Sequence, residues 1–245
     1  MSKYFYDLHL HSCLSPCGDD DNTPNNIAGM AKLCGLDIVA LTDHNSTKNC
    51  PAFFEAARRY EIIPIAGMEL TTSEDIHVVC LFETLDKAMA MDEDLQGHRI
   101  LVKNKVDVFG KQSILNGMDE EIGQEEYYLP NATDISYEDV KGYVERFDGV
   151  CFPAHIDRKS NGVVSVLGTL PESPSFRCIE FNLSGSIDHY KEKYDLSDKI
   201  ILVNSDAHYL NMMRDAQNYI ELPDNLETEE EIVSNLFKIL RGETV

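Results

Sequence analysis

The chain has 245 residues, of which 43% are hydrophobic, and its formal net charge is −22 because 43 acidic residues outnumber 21 basic ones. This length suits one large domain or two small ones, and the apolar content suffices for a substantial core. The charge argues against nucleic acid as a partner, because binding to a duplex depends on neutralising phosphates with Lys and Arg. A small molecule is therefore favoured over a long polyanion.

No stretch approaches the roughly 18 to 20 consecutive apolar residues that span a membrane, and the N-terminus lacks the apolar region of a signal peptide. The seven cysteines are scattered, and several lie inside apolar runs. An odd number of scattered cysteines indicates reduced thiols and not a disulfide framework. These features predict a cytoplasmic protein with no membrane partner, and they leave the oligomeric state open.

Short apolar runs alternate with helical patterns along most of the chain, which is typical of the βαβ order of a parallel sheet or barrel. The first helix is predicted over 24–34, with Thr23 as N-cap, Pro24 at its first position and Gly35 as its stop. Further helices are predicted over 51–60, 137–147 and 227–240, and strands over 4–11, 37–42, 62–70, 76–82, 149–155, 178–183 and 200–204.

The region from about 85 to 130 breaks this order because it is polar and acidic. It contains a predicted helix over 85–96 and a stretch over 109–129 whose Asn116-Gly117 pair resembles a hairpin turn. We expect this region to be an insertion that caps one end of the fold.

Two histidines one residue apart stand near the N-terminus, in the segment DLHLHS at 7–12. Side chains at i and i+2 of a β-strand share a face, so Asp7, His9 and His11 would line one side. That arrangement suits two imidazoles that converge on one metal ion. Taken alone, the segment is explained equally well by a buried strand whose histidines hydrogen-bond to their neighbours.

Polar residues collect at the ends of the other predicted strands. In α/β barrels the C-terminal ends of the strands form one surface, where catalytic groups gather. The number of donors there exceeds what a single ion can bind and indicates two or three ions that share a bridging carboxylate. The donors are His9, His11, His44, Glu69, His77, His155, Asp206 and His208.

These motifs resemble the polymerase-and-histidinol-phosphatase (PHP) superfamily of metal-dependent phosphoesterases. The matching segments, in the family's order, are DLHLHS at 7–12, LTDH at 41–44, GMEL at 67–70, His77, AH at 154–155 and SDAH at 205–208. The resemblance implies an α/β fold, a distorted (β/α)7 TIM-like barrel, with a trinuclear metal centre at the strand ends. It further implies one PHP-type domain over 1–245, with the insertion at about 85–130 as the place where substrate preference would reside.

Carried over position by position, the resemblance implies that Glu69 is shared by two metal ions. The first ion would be held by His9, His11, Glu69 and Asp206. Glu69 would bridge to a second ion held by His77 and His155.

A third ion would be held by His44 and His208, together with a residue of the loop after the first strand. The family places a histidine or an aspartate in that loop, and this chain offers Cys17, with Asp19 as the competitor. A thiolate is a soft ligand that favours zinc or iron over manganese or magnesium. The predicted cofactors are thus two or three divalent ions, Zn, Mn or Fe.

The chemistry implied is attack on phosphorus by a metal-activated hydroxide, with Glu69 as the bridging carboxylate. Asp7 and Asp43 are interpreted as residues that orient the ligand imidazoles through their free ring N–H groups. Either Asp43 or His208 could pass a proton to the leaving oxygen.

Arg158 and Lys159 form the basic pair that follows the AH motif. A guanidinium there could bind two phosphate oxygens at once, so both residues are predicted to contact the substrate, although a surface pair balancing nearby acids is the alternative. His98 and His189 lie outside every motif and are assigned structural or surface roles, with contact between His189 and the substrate as the alternative.

The predicted function is hydrolysis of a phosphate ester of a small soluble metabolite, such as a nucleotide, a sugar phosphate or an amino-alcohol phosphate. One alternative is an exonuclease-like phosphodiesterase acting on nucleic-acid ends. Another is a non-catalytic, metal-binding regulatory module, against which the near-complete ligand set counts. Amidohydrolase chemistry is disfavoured because a metal-bridging lysine is expected at a strand end and none stands there.

Overall fold

The computed structural model describes residues 1–244, so that Val245, the last residue of the predicted domain, lies outside the described residues. The strands are β1 Ser2–Asp7, β2 Ile38–Leu41, β3 Ile63–Thr71, β4 His77–Phe82, β5 Ser113–Leu115, β6 Glu121–Gln124, β7 Val150–Pro153, β8 Cys178–Phe181, β9 Ile200–Val203 and β10 Tyr219–Leu222. The helices are α1 Pro24–Leu33, α2 Cys50–Arg59, α3 Leu85–Leu95, α4 Val106–Phe109, α5 Val140–Glu145, α6 Val163–Leu167, α7 Ile187–Lys191 and α8 Glu229–Arg241.

The main sheet is a curled, six-stranded half-barrel with the strand order β10-β1-β2-β3-β4-β7, and β8 and β9 form a separate parallel pair. The expected parallel pairing holds for β1, β2 and β3, but β4 runs antiparallel to both β3 and β7. The turn from β3 to β4 is tight: the Thr72 amide donates to the Ile76 carbonyl at 2.9 Å, and Asp75 has a φ of 62°. A connection this short joins only antiparallel strands.

Hydrogen bonds just beyond the strands connect the two sheets. The amide of Ile156, after β7, donates to the carbonyl of Glu180 on β8 at 2.9 Å. The amide of Asp206, after β9, donates to the carbonyl of His9 at 2.9 Å. The segments that follow β1, β7, β8 and β9 therefore lie side by side, and they carry much of the site.

The predicted first strand is too long, because β1 ends at Asp7 and not at His11. Side chains accept two of the backbone donors there: Leu8 donates its amide to Asn204 Oδ1 at 2.9 Å, and Leu10 donates to Thr42 Oγ1 at 3.1 Å. The two histidines still share one side, since their Nε2 atoms lie 3.3 Å apart.

Local sequence signals account for the first and last helices. The Thr23 hydroxyl accepts the Asn26 amide before α1, and Gly35 follows the helix with a φ of 75°. Thr228 and Glu231 form a reciprocal capping box at the start of α8, whose buried Phe237 joins the same apolar cluster as strand residue Phe152. No helix within residues 1–244 combines the length and apolar character needed to cross a membrane.

The region 85–130 contains α3 and α4 and, as expected, an antiparallel hairpin of β5 and β6. Its turn places Asp119, and not Gly117, in the left-handed region, with a φ of 61°. The hairpin lies against the loop after β2, where Asn49 Oδ1 accepts the Leu115 amide at 2.9 Å. The region 85–130 is thus held by polar contacts to a loop that carries candidate ligands.

Candidate metal centre

Glu69, near the end of β3, is fully buried and stands at the focus of the histidines. A single carboxylate cannot form good hydrogen bonds with so many rings, whereas it can be a shared metal ligand. The imidazole nitrogens lie 2.8 Å (His77), 3.0 Å (His155), 3.0 Å (His44), 3.3 Å (His9) and 3.3 Å (His11) from the nearest Glu69 oxygen.

Two buried atoms of this cluster support a cation site. His44 Nδ1 and Glu69 Oε2 lie 3.0 Å apart, yet within residues 1–244 neither atom has a hydrogen-bond partner. A buried polar atom left without a partner costs about 1–3 kcal/mol, so such atoms are rare unless something else satisfies them. A cation shared by the two atoms would satisfy both, and the donor set of imidazoles and carboxylates fits zinc, manganese or iron.

The described chain contains three groups of donor atoms, and within each group all the atoms lie within 4.8 Å of one another. The groups are His9, His11, Glu69 and Asp206; His11, His44 and His208; and His44, Glu69 and His77. The first group is the set that the family resemblance implies for one ion. The second group contains His11 where the resemblance implies Cys17, and the third contains His44 where it implies His155. Cys17 and His155 therefore belong to none of the three groups.

Asp206 and His155 are aimed into the site by unusual backbone. They follow β9 and β7 with φ values of 51° and 27°, in the left-handed region that residues other than glycine rarely adopt. Such residues cost roughly 1–3 kcal/mol each and persist only where the surroundings hold them. Asp206 is held by His11, whose Nε2 lies 3.2 Å from Oδ1, and by Arg158, which contacts Oδ2.

Glu180, at the end of β8, is a buried site residue that the sequence reasoning missed. Its Oε2 lies 2.9 Å from His9 Nδ1 and accepts the His155 amide at 2.8 Å, and its Oε1 accepts Asn204 Nδ2 at 2.6 Å. When His9 Nδ1 carries the proton and donates it to Glu180, the other ring nitrogen, Nε2, is free to bind a metal. The available signal was an acid at the end of the apolar strand segment CIEF.

Asp43 and Asp7 act differently from the interpretation given to them. Asp43 accepts Ser12 Oγ at 2.6 Å and Ser15 Oγ at 2.7 Å, and Ser15 Oγ lies 3.1 Å from His11 Nδ1. Asp43 therefore reaches an imidazole only through Ser15. Asp7 accepts the Ser205 amide at 3.2 Å, a backbone contact, and burial raises the pKa of its carboxyl to about 6.

The loop after β1 brings Cys17 to His44 and His208. Burial alone would raise the pKa of the Cys17 thiol, but the charges and hydrogen bonds of these two imidazoles lower it to about 5. The competing Asp19 instead accepts the Asp21 amide at 2.9 Å in its own turn. Of the two candidates, the structure places Cys17 beside the imidazoles.

Charge within the cluster keeps Glu69 ionised, as metal ligation requires. The nearby carboxylates also raise the pKa of His9, His11 and His44 despite burial, so a bound cation would displace protons from these rings. Burial would raise the pKa of Glu69, yet the charges of His77, His9 and His44 hold it well below the usual range. Burial lowers the pKa of His77 to about 4 despite the nearby Glu69.

Arg158 and Lys159 differ in position. The Arg158 side chain, 43% exposed, borders the metal centre through its contact with Asp206. Lys159 is exposed, has no ion-pair partner within residues 1–244, and lines an adjoining cavity. His98, as assigned, is a surface residue, 2.7 Å from Asp134.

The family model for the PHP domain matches residues 7–225. The chain therefore belongs to the PHP-domain family, as its motifs predicted, and that prediction is confirmed.

Particular relatives sharpen this class. The fold is similar to that of the lesion-specific endonuclease Q of Pyrococcus furiosus, with a TM-score of 0.71, 18% identity, and 98% of this chain covering 56% of that one. It is also similar to a candidate metal-dependent phosphoesterase of Bifidobacterium adolescentis, with a TM-score of 0.58, 16% identity and 96% of both chains covered. In sequence, 99 residues are 28% identical to the uncharacterised protein MJ1587 of Methanocaldococcus jannaschii, covering 37% of this chain and 58% of that protein. The chain thus spans little more than half the length of MJ1587 and of endonuclease Q.

The prediction that argued against nucleic acid is wrong. Endonuclease Q in complex with a 27-mer duplex, with an abasic lesion at its active site, has a TM-score of 0.70 to this chain at 18% identity, covering 98% and 57% of the two chains. A fold of this kind therefore accommodates DNA. Net charge sums the whole surface, whereas binding depends on the local field at the site, which is why −22 was a poor guide.

Proposed function

We propose that this chain hydrolyses phosphate esters with two or three divalent ions, zinc, manganese or iron, at the Glu69 cluster. The observation that carries the proposal is that five imidazoles lie within 3.3 Å of one buried carboxylate. When bound, such ions lower the pKa of a water molecule and neutralise charge on the phosphoryl group.

The chain's own residues then divide the work. The proposed ligands are His9, His11, Cys17, His44, Glu69, His77, His155, Asp206 and His208. Arg158 would orient the phosphoryl oxygens with its planar guanidinium, and Lys159 would supply charge further out. His208, whose side chain is 17% exposed, is better placed to protonate a leaving oxygen than Asp43, which is buried and bound by serines.

We further propose that β1, β2, β3, β4, β7, β8 and β9 form a distorted (β/α)7 barrel in one PHP-type domain over 1–245. The hydrogen bonds from Ile156 to Glu180 and from Asp206 to His9 support closure between the two sheets. The insertion at about 85–130 would be the cap over its open end. The cytoplasmic location stays a prediction.

Phosphate esters of small metabolites, such as nucleotides, sugar phosphates or amino-alcohol phosphates, are the first substrate class to test. The full-length likeness to the candidate phosphoesterase of B. adolescentis supports this class. A second candidate function is cleavage of nucleic-acid phosphodiesters, favoured by the fold shared with endonuclease Q.

The test compares wild-type protein, purified without chelators, with Glu69→Gln. Metal content is measured by mass spectrometry, and turnover is measured on phosphomonoesters, phosphodiesters and labelled oligonucleotides. We expect at least two ions per wild-type chain, and in the variant a loss of ions with a fall in turnover of at least about 10²-fold.

Glu126→Gln, at an exposed position with a surface partner, is the matched control and should leave both readouts unchanged. Fewer than two ions in the wild type, or unchanged hydrolysis by Glu69→Gln, would contradict the proposal.

A further inference from the structure

A cavity of about 560 Å³ opens beside the metal centre, on the far side of Arg158. It lies between the loop after β7, α6 and the end of α7. The polar side chains that line it include Arg158, Lys159, Ser165, His189 and Lys193. His189, which the sequence placed outside every motif, therefore has a position next to the site.

Basic side chains outnumber acidic ones in the wall of this cavity, with Arg158, Lys159 and Lys193 against Asp157. Within residues 1–244, Lys159 and Lys193 have no ion-pair partner, whereas Arg158 contacts Asp206. Acids outnumber bases 43 to 21 in the whole chain, so this cavity wall reverses the balance of the composition.

The one acid in the cavity wall, Asp157, is hydrogen-bonded to a neighbouring loop. Its carboxylate accepts the amides of Asn182 at 2.8 Å and Leu183 at 2.9 Å, and the Ser186 hydroxyl at 2.5 Å. Three donors thus hold its charge toward the 182–186 loop. The lysines thus line a cavity whose one carboxylate is already bound by other donors.

Arg158 connects this cavity to the metal centre, because it lines the cavity and its guanidinium contacts Asp206. Asp206 in turn belongs to the group of donors around His9 and His11. A group bound by the lysines would therefore lie about one arginine side chain away from a phosphoryl group at the metals.

We infer that this cavity binds a second phosphate of the substrate, adjacent to the phosphate that is cleaved. Lysine ammonium groups bind phosphate as point charges, so a pair of them in one cavity suits an anionic phosphate group. This inference rests on the proposed function and narrows its substrate class to esters with two neighbouring phosphates. Such a phosphate belongs either to the next nucleotide of a nucleic-acid strand or to a bisphosphorylated small metabolite.

The test uses the double variant Lys159→Gln/Lys193→Gln. Its matched control is Lys191→Gln, at an exposed α7 position that does not line the cavity. Two substrate pairs separate the sources: a dinucleotide with and without a 5′-phosphate, and a hexose bisphosphate against the hexose monophosphate. We expect KM to rise about tenfold more for the two-phosphate member of the accepted pair than for its one-phosphate partner. An equal change for both members, or no change, overturns the inference.

A binding measurement separates this inference from the proposed function. Anisotropy of fluorescein-labelled tetrathymidylate, with fructose 1,6-bisphosphate as competitor, is measured on chelator-treated protein. We expect either the tetrathymidylate or the fructose 1,6-bisphosphate to bind the double variant about tenfold more weakly than it binds the control variant. If that loss occurs but wild-type protein hydrolyses no phosphate ester, the phosphate site stands and the proposed function fails. Equal binding of both probes by double variant and control overturns the phosphate site.

Discussion

The floor of the metal centre, formed by His9, His11, Glu69, His155 and Asp206, is built differently from its rim, formed by Cys17, Arg158 and His208. The floor residues are at most 2% exposed, and other protein groups fix them. The rim residues reach solvent, and Arg158 and His208 are held there by contacts with Asp206 of the floor. We therefore expect the floor to fix the chemistry of the class and the rim to set metal preference and substrate.

After Glu69→Gln, the largest effect on metal binding should follow from removing the carboxylate of Glu180, which supports the floor. Glu180→Gln keeps the side-chain shape but loses the charge that accepts from His9 and the His155 amide. Loss of such an outer partner should lower metal affinity about 10–100-fold. A competition titration against a chromogenic chelator measures it.

The exposed Glu138→Gln is the control and should bind metal as the wild type does. If Glu180→Gln bound metal within twofold of that control, the floor would not depend on Glu180, and the contrast with the rim would fail.

An intermediate effect is expected at the rim. Cys17→Ser replaces a soft thiolate with a hard oxygen, so zinc affinity should fall about tenfold while manganese affinity changes less. Parallel titrations with the two metals measure the difference. An equal loss for both metals would show that Cys17 does not set metal preference.

The pH dependence of thiol alkylation checks the same rim residue. The thiolate is the reactive form, and the Cys17 pKa is lowered to about 5, so its alkylation should be level from pH 7 to 9 and decline as pH falls through 5. Cys34, whose thiol pKa is raised by burial, is the internal comparison and should react faster up to pH 9 and beyond. Peptide mass spectrometry separates the two, and zinc should protect only Cys17.

The smallest effect on metal binding is expected from Ser15→Ala. Ser15 is not a candidate ligand, and its hydroxyl lies between Asp43 and the candidate ligand His11. The variant leaves a buried carboxylate short of a donor, so stability should fall by about 1–3 kcal/mol, with metal affinity little changed. Urea unfolding and metal titration are the two measurements, with exposed Ser160→Ala as control. A larger loss of metal than in Glu180→Gln would reverse the order of importance within the floor.

Much of this could be predicted from the sequence where one local rule decides. Thr23, Pro24 and Gly35 bound the first helix because capping is set by a few neighbouring residues. The DLHLHS segment and the strand-end histidines predicted that these side chains cluster, because strand ends converge in this kind of fold.

What escaped prediction depends on distant partners. Glu180 is a lone acid in an apolar strand, and nothing nearby in sequence tells that it faces His9 from 171 residues away. β1 was predicted too long because the Asn204 and Thr42 side chains, which take over its backbone donors, are far along the chain. The cationic cavity was missed for the same reason, since Lys159 and Lys193 meet only in the folded chain.

The left-handed backbone at His155 and Asp206 carries one further consequence. Glycine would adopt those angles without the backbone strain of about 1–3 kcal/mol that a larger residue carries there. Both positions nevertheless hold a candidate ligand, whose side chain contacts other residues of the cluster. Backbone preference and the role of the side chain therefore oppose each other at these two positions.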